Sequence, residues 1–347
     1  MRPVGAFLFG IMAERFGRRV TLMIDIIAFS VFEVASAFAP SLKAFLILRA
    51  LFGIAMGGEW GVGSALAFET LPSESRGFFS GILQEGYTTG YLLAALAYGT
   101  LFTFIGWRGM FLLGALPALL VLFIRSKVGE SPAWLKDRAT KAQRARTGPG
   151  ILTYAGTFLF LALLMASFNS FSHGTEDLYP TFLQKNLGFS PHTVGLIGVI
   201  AAIGGLIGGT LFGALSERWG RRRTIVIASL LTIPVIPLWV YSHSVAMLAV
   251  GSFLMRFMVQ GAWGVIPAHL NELSPPAVRG TFPGLAYQLG NLISSKNIVL
   301  QARLVEGNFK GSYPPMFMWT VVIVATFVVS LTSSGEEKKG TDLSSTS

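Results

Sequence analysis

Gly10-Ile11-Met12-Ala13-Glu14-Arg15-Phe16-Gly17-Arg18-Arg19 returns 203 residues later as Gly213-Ala214-Leu215-Ser216-Glu217-Arg218-Trp219-Gly220-Arg221-Arg222. The same offset pairs Glu69 with Glu272, Arg76 with Arg279, Gly77 with Gly280 and Gly81 with Gly284. Chance does not hold one offset across separate loops, so the chain is two copies of one unit. Each copy sets a short basic loop between long apolar runs, which predicts a pair of helical bundles.

Those apolar runs are long enough to cross a bilayer, which takes roughly 20 residues. They fall at about 20–39, 44–68, 78–104, 109–124, 155–184, 193–214, 224–241, 245–270, 281–301 and 315–333, with a shorter run from Met1 to about Ala13. The composition agrees. The chain is 52% hydrophobic and 13% charged with a mean hydropathy of +0.61, whereas a soluble domain carries about 25% charged residues. An all-α, polytopic membrane protein is expected. The absence of cysteine excludes a disulfide scaffold, a thiolate metal site and a Cys nucleophile.

The formal net charge of +10 reads as topology rather than as a nucleic-acid footprint. One set of alternate loops and the tail hold eighteen Lys and Arg, while the opposite set holds five: Lys43, Arg108, Lys185, Arg303 and Lys310. The basic set is assigned to the cytoplasm, and the C-terminus with it. Residues 126–150 form the one long polar connection, read as a cytoplasmic linker between a first bundle, 1–125, and a second, 151–333. Residues 334–347 are polar and rich in Ser and Thr, read as a disordered cytoplasmic tail. The second copy carries a full apolar run, 155–184, ahead of its glycine-rich helix, and the offset places its counterpart before residue 1. The expectation is therefore a first bundle missing its first helix, in a fragment or the product of a late start.

On these residues the chain resembles the major facilitator superfamily. The Gly-x-x-x-[Asp/Glu]-Arg-x-Gly-Arg-Arg loop is similar to that family's loop between its second and third helices, and again between its eighth and ninth. Glu14 and Glu217 stand where the family prefers Asp. Arg49-x-x-x-Gly53-x-x-x-Gly57 resembles the fourth-helix motif, and Gly129-Glu130-Ser131-Pro132 the motif after the sixth. A narrower likeness covers Asn169-Ser170-Phe171-Ser172-His173-Gly174-Thr175-Glu176-Asp177-Leu178-Tyr179-Pro180-Thr181. It resembles the seventh-helix signature Asn-x-x-[Ser/Thr]-His-x-x-Gln-Asp-x-x-x-Thr of lactate and pyruvate permeases, within the sialate:proton symporters. Glu176 departs from it, since the signature has Gln there. Gly57-Gly58-Glu59-Trp60-Gly61 is similar both to that family and to the metabolite:proton symporters, and Gln288-x-x-Asn291 resembles a substrate-site pair of the permeases.

The resemblance implies two pseudo-symmetric bundles, with about 11 of 12 helices present. It implies a proton-coupled symporter of a small monocarboxylate such as lactate or pyruvate, working by alternating access. The alternatives are a symporter of sialic acid or another sugar acid, or an inactive fragment. No cofactor or metal is implied, and the partners are a small carboxylate, a proton and the lipid bilayer, not nucleic acid. A monomer spanning the plasma (inner) membrane many times is expected. Arg49 falls at the position the resemblance implicates in proton coupling.

The residues carry their own argument. Ionisable groups inside a span are costly and usually face a cavity. His173 and Asp177 are four apart, on one helix face with Asn169 a turn before, and an imidazole titrates near pH ~6.5. This pair is expected to couple proton and substrate; the competing reading is a helix-packing cluster. Arg49 and Arg256 each present a planar fork suited to a carboxylate, or alternatively pair with an intramembrane acid such as Glu59 or Glu85. Glu59 and Glu85 lie within glycine-rich spans and can carry a proton. Gln84-Glu85-Gly86-Tyr87 is polar enough to line a cavity. Ser172, Glu176, Gln288 and Asn291 complete the expected substrate site. Gly10, Glu14, Arg15, Gly17 and Arg18, with Gly213, Glu217, Arg218, Gly220 and Arg221, are expected to gate the cytoplasmic side, with the glutamates paired to basic residues at neighbouring helix ends.

Two other classes find no support. An intramembrane enzyme lacks any His-Glu-x-x-His, Gly-x-Ser-x-Gly, dinucleotide or phosphate-loop motif. A transporter-derived sensor calls for a long soluble domain, which a roughly 25-residue linker does not supply.

Overall fold

The structure is a computed structural model that describes residues 1–143 and 151–343. Within the described residues the first bundle comprises α1 (Arg2–Phe16), α2 (Arg18–Ala37), α3 (Leu42–Ala55), α4 (Glu59–Thr70), α5 (Arg76–Leu113) and α6 (Ala118–Lys127). An amphipathic α7 (Pro132–Gln143) follows. The second bundle begins with α8 (Ala155–Glu176), α9 (Tyr179–Thr181), α10 (Pro191–Trp219) and α11 (Arg221–Leu231). It continues through α12 (Ile236–Val240), α13 (Val245–Leu273), α14 (Phe282–Ser294), α15 (Asn297–Glu306) and α16 (Tyr313–Ser334).

Eight segments among the described residues are long and apolar enough to cross a membrane. The other expected runs are helical too, but interrupted, short or more polar. The 15-residue α1 is too short, and the run at 281–301 breaks at Ser295 and Lys296 into α14 and α15. The run at 78–104 carries Gln84, Glu85 and Tyr87, and is divided from the next by Gly106, whose φ is 61°. Between α11 and α12 the chain tightens at Pro234 and Pro237, which cannot donate to a helical ladder.

The repeated loop earns its glycine by conformation. Gly17, between α1 and α2, has φ 104°, and Gly220, between α10 and α11, has φ 92°; L side chains rarely enter this region. The turn lets an acid cap the next helix. Glu130 accepts from the Arg18 and Arg19 amides at 2.9 and 3.1 Å, and Glu337 accepts from the Arg222 amide at 3.0 Å.

The tail makes contacts with both bundles as far as residue 343. Besides the Glu337 cap, Arg76 donates to the Thr341 carbonyl at 2.6 Å and Arg279 to the Leu343 carbonyl at 3.0 Å. Leu343 is fully buried against Phe68 and Ala268. The tail does for α11 what Gly129-Glu130 does for α2, so its backbone has partners that composition does not reveal. The polar connection, likewise, contains α7, which Ser131 caps through the Trp134 amide at 3.1 Å and Trp134 docks by donating to the Glu14 carbonyl at 3.0 Å. Residues 144–150 of the expected linker and 344–347 of the tail lie outside the described residues.

The two bundles meet along glycine. A Cβ on Gly61 of α4 would sit 2.6 Å from the Gly284 Cα of α14, and one on Gly81 of α5 would strike the Gly209 carbonyl of α10. Small residues let helix backbones touch and slide. Both seams lie toward the basic loops.

Candidate functional site

Arg256 stands at the centre of the charged residues. It lies in the interior of α13, nearly buried, and donates from Nη1 to Glu176 Oε2 at 2.7 Å. Glu176 ends α8 and is half exposed. Its neighbours on that helix, His173 and Asp177, meet at 3.2 Å between Nδ1 and Oδ1. The first bundle faces them with Tyr87, within electrostatic reach of Glu176, Arg256 and Asp177, and with Glu85, within reach of Arg256. Glu85 packs onto Gly209 with Thr88 beside it. One guanidinium thus pairs with Glu176, faces Glu85 of the other bundle and lies within electrostatic reach of His173.

An aromatic platform lies beside this cluster. Trp60 of α4 stacks on Tyr287 of α14 at 4.6 Å and 19°, and Trp263 of α13 meets Tyr287 edge-on at 6.1 Å. Phe168 continues the run against Trp263 at 5.4 Å. Trp263 Nε1 of the platform and Gln288 Oε1, one residue after Tyr287 on α14, are buried without a hydrogen-bond partner within the protein. Asn291 lies beside the Tyr287 phenol. The repeat offset explains part of the pattern: Glu85 corresponds to Gln288, Thr88 to Asn291 and Trp60 to Trp263. Sequence reasoning named Glu85, Gln288 and Asn291 separately and missed this symmetry, together with the two tryptophans and Tyr287.

Other candidates lie elsewhere. Arg49 is enclosed within the first bundle, where Glu33 accepts from Nη2 at 2.8 Å and Ser36 at 2.6 Å. Phe52 and Phe111 flank its guanidinium at 4.3 and 4.8 Å from the ring centres, a cation–π cage. In this structure its acid is Glu33, one helix earlier, rather than Glu59 or Glu85, because α2 and not α5 runs alongside it. Glu59 faces the interior of the first bundle. Asn169 donates its amide to the Met165 carbonyl at 2.9 Å within its own helix, and Ser172 is half-buried a turn from Glu176.

The repeated loops reach across the seam. Glu14 accepts from the Gly280 amide of the other bundle at 2.7 Å, and Glu217 accepts from the Gly77 amide in the mirror contact. Each glutamate also pairs with the arginine four residues on, Arg18 at 3.1 Å and Arg221 at 3.3 Å. Arg18 continues to Glu69, and Arg221 to Glu272. The partners thus include helix-start amides of the opposite bundle as well as basic residues. Arg15 and Arg218 point outward from this network, and both are exposed.

Residues 1–149 match the family model described as Sugar (and other) transporter, and residues 159–333 match that of the Major Facilitator Superfamily. The chain belongs to the major facilitator superfamily. It is a multi-pass membrane protein of a transporter family and not an enzyme. Within the superfamily it is 32% identical over 303 residues to a "Probable 4-methylmuconolactone transporter" of Cupriavidus pinatubonensis, covering 85% of this chain and 70% of that one. It is 29% identical over 380 residues to a "Carboxylic acid transporter protein homolog" of Saccharomyces cerevisiae, covering 99% of this chain. The chain spans 62% of that yeast relative's length. A crystal structure of a double-tryptophan mutant of XylE shares the fold, with a TM-score of 0.80 at 21% identity, over 99% of this chain and 85% of that one.

Proposed function

We propose that this chain serves as a proton-coupled symporter of a small carboxylate, working by alternating access between its two bundles. The observation that carries the reading is the 2.7 Å pair between Arg256 and Glu176. Glu176 occupies the guanidinium fork as a substrate carboxylate would, and the signature it resembles has the neutral Gln at this position. A proton on Glu176 weakens its hold and frees Arg256 for an incoming anion. The proton and the anion then enter together, which is symport. His173 and Asp177, one turn away, offer a second place for a proton.

Within the carboxylates, the seventh-helix residues Asn169 to Thr181 support lactate or pyruvate. The Trp60–Tyr287–Trp263 platform favours a flatter, unsaturated or ring acid, since a planar guest stacks on such faces. Sialic acid or another sugar acid is the remaining alternative. The basic loops support a cytoplasmic C-terminus and an inner-membrane location.

Glu176→Gln is expected to raise affinity for the substrate carboxylate at neutral pH roughly tenfold, because a charge-assisted bond no longer competes. Its binding should also depend less on acidification. Arg256→Ala should lose roughly a hundredfold in affinity, with only partial recovery in Arg256→Lys, which lacks the fork. Calorimetric titration of the purified chain with lactate, pyruvate, nicotinate and sialate at two pH values measures this. Unchanged affinity and pH dependence in Glu176→Gln would overturn the competition, and no acid-driven uptake of any of the four acids would overturn the class.

A further inference from the structure

Asp25 is an acid that neither the motifs nor the site account for. It lies seven residues into α2, is fully buried, and neither carboxylate oxygen finds a hydrogen-bond partner. Oδ1 lies over Gly58, 3.1 Å from where a Cβ there would be, and Glu59 is within electrostatic reach. Glu59 borders a cavity of about 320 Å³ within the first bundle, which Glu33 and Met56 also line.

The internal repeat supplies a control for what these acids do. Shifting by 203 residues aligns Gly58-Glu59-Trp60-Gly61-Val62 with Gly261-Ala262-Trp263-Gly264-Val265, identical except at Glu59. The same shift aligns Asp25 with Ala228, inside a helix whose flanking Arg18, Arg19, Thr21 and Ile24 match Arg221, Arg222, Thr224 and Ile227. Ala228 and Ala262 are both fully buried. At both positions, therefore, the second bundle packs a methyl group where the first buries a carboxylate. The carboxylates are additions to a fold that does not require them.

The charges around the pair are otherwise committed. Arg18 on α2 is held by Glu14 and Glu69, and Arg49 on α3 by Glu33. Arg2 of α1 is within electrostatic reach of Glu59 and not of Asp25. On α5, Glu85 faces Arg256 of the other bundle, while Arg76 and Arg108 donate to the Thr341 and Ala37 carbonyls. On α6, Arg125 and Lys127 occupy the last turn, at the basic end. Among the described residues no cation hydrogen-bonds Asp25.

We infer that Asp25 and Glu59 form a proton-binding pair of neighbouring carboxylates inside the first bundle, with a proton on one of the two. Two buried acids this near each other do not both ionise without a counter-charge. Arg2 offers Glu59 a counter-charge, whereas no cation hydrogen-bonds Asp25, so Asp25 carries the proton. Glu59 lies within electrostatic reach of Tyr287, the platform ring on which Trp60 stacks. The role in transport rests on the symport reading above, whereas the protonation itself does not.

Infrared spectra of the purified chain in lipid nanodiscs test the pair directly, through the C=O stretch of a protonated carboxylic acid. The wild type is expected to keep such a band at neutral pH, and Asp25→Asn and Asp25→Ala/Glu59→Ala should each remove it. The double alanine variant copies the second bundle and should retain helical content and melting midpoint. An unchanged band in both variants would overturn the proton site, and unfolding of the double alanine variant would overturn the argument that the acids are additions. In vesicles, the double alanine variant should still exchange labelled for unlabelled substrate while losing gradient-driven accumulation by roughly tenfold or more. Accumulation at the wild-type level would sever the pair from coupling. If the wild type accumulates nothing, the symport reading fails while the infrared band still decides this one.

Discussion

Replacing Arg221 with methionine is expected to destabilise the protein by about 3–5 kcal/mol, because Glu272 would remain buried as an unpaired charge. Both side chains are fully buried, and they meet in a two-pronged contact, with Nε and Nη2 each 3.0 Å from a Glu272 oxygen. Ser216 takes a third bond at 2.6 Å. The double variant Arg221→Met/Glu272→Leu should recover most of the loss, since an apolar pair of similar volume avoids the desolvation cost altogether. The first-bundle counterpart, Arg18→Met, should cost less. There the arginine bonds to Glu69 are longer, 3.3 and 3.4 Å, and Glu69 keeps Ser131 as a second partner. Melting midpoints in detergent, followed by tryptophan fluorescence, rank the three variants. A shift of less than about 2 °C for Arg221→Met would contradict the structure.

Gly284→Leu is expected to force the basic face open. The added Cβ would lie 2.8 Å from the Gly61 Cα, a backbone contact that no side-chain rotation relieves. The bundles must separate there, and the crossing contacts of Glu14 and Glu217 with Gly280 and Gly77 would part with them. The cysteine-free sequence makes the measurement direct. Spin labels at Glu74→Cys and Ala277→Cys, repeat-related and exposed at the basic face of each bundle, should report a longer distance in the Gly284→Leu background. A rigid-body change of this kind also abolishes cycling between the two accesses. Gly198→Leu is the matched control, because nothing lies within 4 Å of a Cβ there, and it should leave the distance unchanged. Equal distances in both backgrounds would remove the glycine seam from the closing mechanism.

The architecture was legible because its signals are local and repeated. A glycine that must take a positive φ, an acid and an arginine at fixed spacing, and runs of apolar residues all follow from a few neighbouring positions. Half of the site was legible for the same reason: His173, Glu176 and Asp177 share one helix face, so spacing alone brings them together. Arg256 was named as an isolated intramembrane charge, but its partner lies 80 residues away and no periodicity links them. Arg49 meets the same limit, since a guanidinium in a span announces that it needs an acid and not which helix supplies it.

The tail shows the boundary most plainly. Its composition is that of an unstructured segment, while its contacts are with Arg76, Arg279 and the start of α11, none of them nearby in the chain. Sequence alone determined that this protein is a membrane-embedded pair of repeated bundles with its positive charge on one face, because hydrophobicity, charge and repetition are additive along the chain. Only the tertiary structure decided which carboxylate holds Arg256, where glycine backbones touch, and that Asp25 lies buried without a partner. Those facts depend on distances between helices, which short-range patterns do not encode.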